Sequence, residues 1–187
     1  MKQREPESCG KPARRSRGRR GSETVEFTLV LLPLLAMLGG VVDTAWAVWA
    51  KSTLQQAVRL GVRTGVTLTA GQMSGGACLT DTVKGIVQSN AMGLLRGSSG
   101  LSKIKVNYFQ PPAPSSTAAA TDVSAQANGD APGNIMQVSV QGFSLVPLLP
   151  RITSWHGPVD TSPLIVSVYS ADLIEPNRNP PCIGTAP

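Results

Sequence analysis

An apolar run begins at Phe27 and reaches Trp49 with Asp43 as its single charge, so that no residue between Phe27 and Val42 is charged. As an α-helix this stretch would be roughly 35 Å long, enough to cross a hydrocarbon core of about 30 Å. A transmembrane helix over residues 22–50 is therefore predicted, with Pro33 tolerated as a kink and Trp46 and Trp49 at the outer interface. From Lys51 to Thr69 the pattern becomes one-sided. Leu54, Ala57, Val58, Gly61, Val62, Gly65 and Leu68 recur at three- and four-residue spacing, which predicts an amphipathic stalk over 51–70 that stops near Gly71. Ala57, Gly61 and Gly65 form a row of small residues where another backbone can approach closely, either another subunit or the chain's own domain.

Beyond the stalk, Gly75 to Cys78 reads as a turn. Thr80 can cap a second helix that buries Val83, Ile86, Val87, Ala91, Leu94 and Leu95 and ends at Gly97–Gly100. Residues 104–109, 136–145 and 164–173 alternate as strands do, the second interrupted by Gly142, a candidate bulge. Residues 110–133 are rich in Pro, Ala, Ser, Thr, Asn and Gly and are expected to form a mobile loop, and Val146–Pro150 an apolar loop. The predicted fold is α+β. A long N-terminal transmembrane helix continues into the stalk, followed by an extracytoplasmic domain over 71–187 with a second helix and about three antiparallel strands.

Charge orients this arrangement. The net charge is +6, yet eight of the 17 basic residues and only two of the 11 acidic ones precede Gly21, so the remaining nine of each sign cancel. The basic excess is confined to residues 1–21, a leader without apolar periodicity that directs export and is then removed. By the positive-inside tendency it lies in the cytoplasm, and everything after Lys51 lies outside. Outside, disulfides persist, so Cys78 and Cys182 are expected to pair while Cys9 stays reduced. Two unpaired thiols are the competing reading, and a zinc site lacks a ligand because His156 is the single histidine.

Three readings compete for Gly21 to Ala50. A plain anchor with an extracytoplasmic binding module would retain the leader. A secretory signal cleaved after Ala47, within Ala45-Trp46-Ala47, would release a secreted domain or enzyme, but the apolar run exceeds the usual h-region of about 7 to 15 residues. The third reading accounts for Gly21-Ser22-Glu23-Thr24-Val25-Glu26-Phe27, which resembles the processing site of the type IV pilin superfamily. Val25-Glu26-Phe27, Leu31-Leu32-Pro33-Leu34-Leu35, Asp43 and the segment Ala57 to Arg63 resemble, in that order, the TadE-like minor pilins (pseudopilins) of the tight adherence (Tad) pilus.

The resemblance implies a prepilin peptidase that cuts between Gly21 and Ser22. It also implies a role for Glu26 in meeting the new N-terminus of a neighbouring subunit, and partners among other pilins and Tad assembly components. It further implies a single-pass location in the inner membrane, in contact with its lipid, and a part in pilus assembly, adhesion and biofilm formation. Physics gives Glu26 independent interest, because a carboxylate at the edge of hydrocarbon costs a few kcal/mol unless it meets a positive group or the interface. Asp43 lies about 24 Å along the helix from Phe27, near the far interface, where water suffices.

No catalytic chemistry is expected. His156 has no nucleophile elbow around it, and no phosphate-cradling or dinucleotide loop is present. The aromatics are too few and too scattered for a nucleic-acid platform. No cofactor and no small-molecule substrate are expected.

Overall fold

The structure, a computed structural model, describes residues 20–69, 78–147, 151–152, 159–160, 162–175, 182 and 184. In chain order the elements are α1 (Arg20–Thr67), α2 (Leu79–Asn90), α3 (Gly97–Leu101), β1 (Ile104–Gln110), β2 (Thr121–Asp122), β3 (Ile135–Leu145), β4 (Arg151–Ile152), β5 (Val159–Asp160) and β6 (Leu164–Leu173). The architecture is α+β: a long apolar helix, then a smaller domain with a further helix and four antiparallel strands in one sheet, ordered β2-β1-β3-β6. Strands β4 and β5 pair separately.

The chain divides into two units, one up to Val41 and one from Val42 onward, and α1 runs through both. In the first unit the described side chains of α1 are almost all exposed: Glu23, Thr24, Glu26 and Thr28 near its start, and a mainly apolar set after Thr28, with Leu29, Leu32, Leu34 and Leu38 among them. Pro33 lies inside the helix and withholds one backbone donor without ending it.

In the second unit α1 is one-sided. Ala50, Leu54, Ala57, Val58, Val62 and Val66 are buried at intervals of three and four residues, while Lys51, Gln56, Arg59 and Arg63 are exposed. The small-residue row explains how close α2 comes. A Cβ at Gly61 would collide with Val87 Cγ2, and one at Gly65 would lie 2.8 Å from Val83 Cγ2 and 2.9 Å from Met136 Sδ. The row is therefore occupied by the chain's own α2 and β3. Val83 at Gly65 and Val87 at Gly61 also show that α2 runs antiparallel to α1.

The inner face of the sheet supplies the rest of the core: Ile104, Val106 and Tyr108 of β1, Met136, Val138 and Val140 of β3, and Val168 of β6. Alternation places these side chains on one face because successive strand residues point to opposite sides. Between β3 and β6 the register shifts after Val140, where Gly142 adopts φ +68°, a left-handed conformation that favours glycine. Lys103 closes this corner, its Nζ donating to the Gly142 carbonyl at 3.0 Å and standing 5.7 Å from the Phe143 ring centroid.

Four local outcomes differ from the sequence reading. First, the expected loop over 110–133 contains strand β2 and four buried residues, Gly129, Asp130, Val123 and Ser124, the last two directly after β2. Val123 and Ser124 are drawn in by Tyr108, whose carbonyl accepts from Val123 N–H at 2.9 Å and whose N–H donates to Ser124 Oγ at 2.8 Å. Second, Thr80 does not cap α2. It lies inside the helix, buried, with its hydroxyl 3.1 Å from the Tyr108 hydroxyl. Third, α2 ends at Asn90, where Met92 (φ 48°) and Gly93 (φ 81°) reverse the chain. Gly97–Gly100 then opens a short helix and terminates nothing. Fourth, the stalk helix ends at Thr67, and the expected stop at Gly71 and the turn at 75–77 lie outside the described residues, as do Trp155 and His156.

Two predictions follow from this packing. Gly61→Leu should lower the unfolding free energy of the domain by about 1–3 kcal/mol through overpacking against Val87. Gly85→Ala, where an added Cβ meets nothing within 4 Å, should raise it by roughly 0.5–1 kcal/mol through helix propensity. Chemical denaturation of both variants reads the two signs. The second concerns Asp122, whose carboxylate accepts from the Ser124 hydroxyl at 2.6 Å and the Ser124 N–H at 2.9 Å, which hold its pKa below the ordinary carboxylate value. A depressed folded-state pKa contributes stability above the unfolded value of about 3.9, and that contribution is lost as pH falls through the folded value. The stability difference between the parent and Asp122→Ala should therefore be constant above about pH 5 and shrink below about pH 4.

Candidate functional site

The residues singled out for assembly and anchoring lie on α1. Gly21 and Ser22 occupy its first helical positions, one turn before Glu26. Glu26 and Phe27 are both exposed, and Thr28 Oγ1 donates back to the Thr24 carbonyl at 2.7 Å, a bond compatible with the helical ladder. The next turns present Val25, Leu29 and Leu32 around a shallow apolar depression. The backbone of Gly21 and Ser22 is helical and continuous with the turn that contains Glu26.

Over the 45 residues from Glu23 to Thr67, α1 contains a window with mean hydropathy 2.2 and none of its residues buried. Length and apolarity fit a single-pass membrane anchor with a C-terminal domain. Asp43 is half-buried on this helix. One turn later Trp46 and Trp49 stack with centroids 4.8 Å apart and an interplanar angle of 25°. Three residues apart, they form one aromatic surface on the helix. Ala45-Trp46-Ala47 lies within α1, helical on both sides. Ala57, Gly61 and Gly65 face α2, so the structure sets them apart from the exposed anchor residues.

The cysteine pair is joined. Cys78 and Cys182 form a disulfide across 104 residues of sequence, with their Cα atoms 4.8 Å apart. Cys78 is also the N-cap of α2 and makes no side-chain cap hydrogen bond. Instead the Leu79 N–H donates to the Cys182 carbonyl at 3.0 Å, so the bridged segment satisfies a donor that a helix start leaves open. Sequence inspection found the bridge but missed this second duty, because the acceptor lies a hundred residues away.

Among the described residues, no group of three or more His, Cys, Asp or Glu side chains is gathered to hold a metal ion. The concave sites described on the domain are shallow and open. One on the outer face of the sheet is lined by Gln137, Ser139, Gln141 and Tyr169, side chains that supply neither a nucleophile–base pair nor an apolar cavity.

Removing the bridge by Cys78→Ser with Cys182→Ser should destabilise the domain by about 2–5 kcal/mol. Denaturant unfolding of the full chain in detergent, with and without reductant, measures this. The parent should lose a similar amount on reduction, and the double variant nothing.

Residues 21–63 match the model of a family described as TadE-like protein. No characterised protein and no solved structure matches the chain. The matched segment begins at Gly21, spans the exposed apolar part of α1 and ends at Arg63 on its amphipathic part. Over these 43 of its 187 residues the chain is similar to TadE-like proteins, and residues 64–187 lie outside the match.

Proposed function

We propose that the chain is a minor pilin or pseudopilin of a tight adherence pilus. It is held in the inner membrane by α1 with its C-terminal domain outside, and a prepilin peptidase cuts it after Gly21. The observation that supports this reading is the coincidence of the family match, which starts at Gly21, with a long exposed apolar helix that has Ser22 in its first turn and Glu26 in the next. The role is structural. α1 packs laterally among other pilins, and Glu26 meets the amine of a neighbouring subunit's new N-terminus.

The charge economy of the lipid interior supports the role given to Glu26. A carboxylate near hydrocarbon is tolerated when a positive group answers it, and cleavage of the chain creates such a group, four residues away in sequence and repeated on every subunit. Register in the assembly then follows from a charge pair, and affinity from the apolar surface of α1. Assembly, adhesion and biofilm formation are the processes in which such a subunit takes part.

N-terminal sequencing and intact mass of the protein from native membranes should give a start at Ser22. An intact Met1 in a cell with active prepilin peptidase would leave a plain membrane-anchored module, and a start at Val48 a secreted domain. Glu26→Ala should still be cut after Gly21 yet weaken incorporation by about 2 kcal/mol or more, the usual cost of removing one partner of a desolvated charge pair. Immunoblots of sheared pili against membrane fractions read both steps.

A further inference from the structure

The hairpin of β1 and β2 is closed by residues 111–120, ten residues between Gln110 and its partner Thr121. Antiparallel strands are usually joined by about two to five residues, so closure alone does not call for this length. All ten are Pro, Ala, Ser or Thr, and every one is exposed. The segment buries no apolar side chain, so the hydrophobic core gains nothing from it.

What the segment does have is a fixed presentation of hydroxyl groups. Pro111, Pro112 and Pro114 withhold three backbone donors, and a residue that precedes a proline is pushed toward an extended backbone, as Gln110, Pro111 and Ala113 all are. At the tip the Ser116 N–H donates to the Ala113 carbonyl at 2.8 Å, which closes a β-turn with Pro114 and Ser115 at its centre. Proline suits the first central place of such a turn, and Ser115 takes the second, at the apex. Ser116 Oγ accepts from the Ala118 N–H at 3.1 Å and so serves the turn itself. The hydroxyls of Ser115 and Thr117 make no hydrogen bond among the described residues, and both residues are exposed. Hydroxyls on the helices are used differently: Ser52, Thr67, Ser89 and Ser102 each donate to a carbonyl three or four residues before them.

We infer that Ser115 and Thr117 are acceptor sites for O-linked glycosylation by an extracytoplasmic glycosyltransferase. The inference rests on the reading of α1 as a membrane anchor with the domain outside. A transferase needs a hydroxyl whose oxygen is free, an extended backbone that can enter its cleft, and neighbours too small to obstruct the sugar. The hairpin tip supplies all three, with Ala113, Ala118, Ala119 and Ala120 presenting only methyl groups beside the acceptors. Serine and threonine set among prolines are also the composition that carries O-linked glycans. Compartment selects sugar over phosphate: nucleotide donors stay in the cytoplasm, whereas a sugar on polyprenyl phosphate is held in the same membrane as the anchored acceptor. In the transfer the hydroxyl oxygen bonds to the anomeric carbon, the bond from that carbon to the phosphate oxygen breaks, polyprenyl phosphate leaves, and the hydroxyl proton passes to a base of the transferase. A glycan here would stand beside β2, the edge strand of the sheet, and hinder a further strand from adding to that edge.

The test takes the full chain from native membranes after thiol blocking, as the parent, as Ser115→Ala with Thr117→Ala, and as Ser116→Ala. None of these side chains is packed against the domain, so all three proteins should fold alike. Cleavage after Phe109 and before Asp122 releases residues 110–121 as one peptide for mass spectrometry. The parent peptide should exceed its sequence mass by one or more sugar residues, and alkaline β-elimination should remove the increment. The double variant should lose the increment completely, and Ser116→Ala should keep it. A parent peptide at its sequence mass overturns the inference, as does an increment of phosphate or of an acyl group, or one that survives in the double variant. The same digest reports the side of the membrane through the Cys78–Cys182 bridge. A formed bridge with an unmodified 110–121 peptide refutes the glycosylation alone, whereas free thiols at both cysteines refute the exported domain and the glycosylation with it.

Discussion

One helix has to satisfy two solvents, and everything else in the chain follows from how α1 does so. After Thr28 and up to Val41 its described side chains are mainly apolar and almost all exposed, the composition that a hydrocarbon surrounding requires. From Ala50 onward the same helix carries a single buried stripe. Along that stripe Gly61 and Gly65 leave room for Val83, Val87 and Met136 to come within contact of the backbone. The part before Val42 has the length and apolarity that fit a membrane anchor, and the stalk part gains its stability from burial against α2 and the sheet.

Because the space at Gly61 and Gly65 is already filled by α2 and β3, the exposed apolar side chains of α1 lie elsewhere along it, Val25, Phe27, Leu29, Trp46 and Val48 among them. Intrachain packing uses glycine at close approach, and the exposed part has the bulk that suits contact with an apolar surrounding. Glu23 and Glu26, both exposed, are the acidic residues described on the part of α1 before Val42.

The domain beyond the stalk is held at its weak points by long-range polar contacts. Its aromatic core residue Tyr108 binds three segments at once: its hydroxyl meets Thr80 of α2, and its backbone meets Val123 and Ser124 after β2. The disulfide and the Leu79–Cys182 hydrogen bond fasten the C-terminal segment to the start of α2. A core built largely of valine and leucine, with few aromatics, buries modest area per residue, so such fasteners matter more here than in a larger domain.

What could be read in the residues alone was whatever repeats over a short interval. The uncharged run from Phe27, the amphipathic spacing of Leu54 to Leu68, the alternation in β1, β3 and β6, and the glycine–glutamate spacing of Gly21 to Glu26 are all local, and helix and strand periods convert them directly into faces. The parity of Cys78 and Cys182, the two cysteines beyond the apolar run, belongs with them. The tertiary structure alone decided that a low-complexity segment yields β2, that Thr80 serves Tyr108 and caps nothing, that α2 stops at Asn90, and that Gly61 and Gly65 face the chain's own helix. In each case the deciding partner lies far away in sequence. A hydrogen bond or a close approach across such a distance leaves no periodic trace in either segment, so only the folded chain shows which of the locally allowed conformations is satisfied.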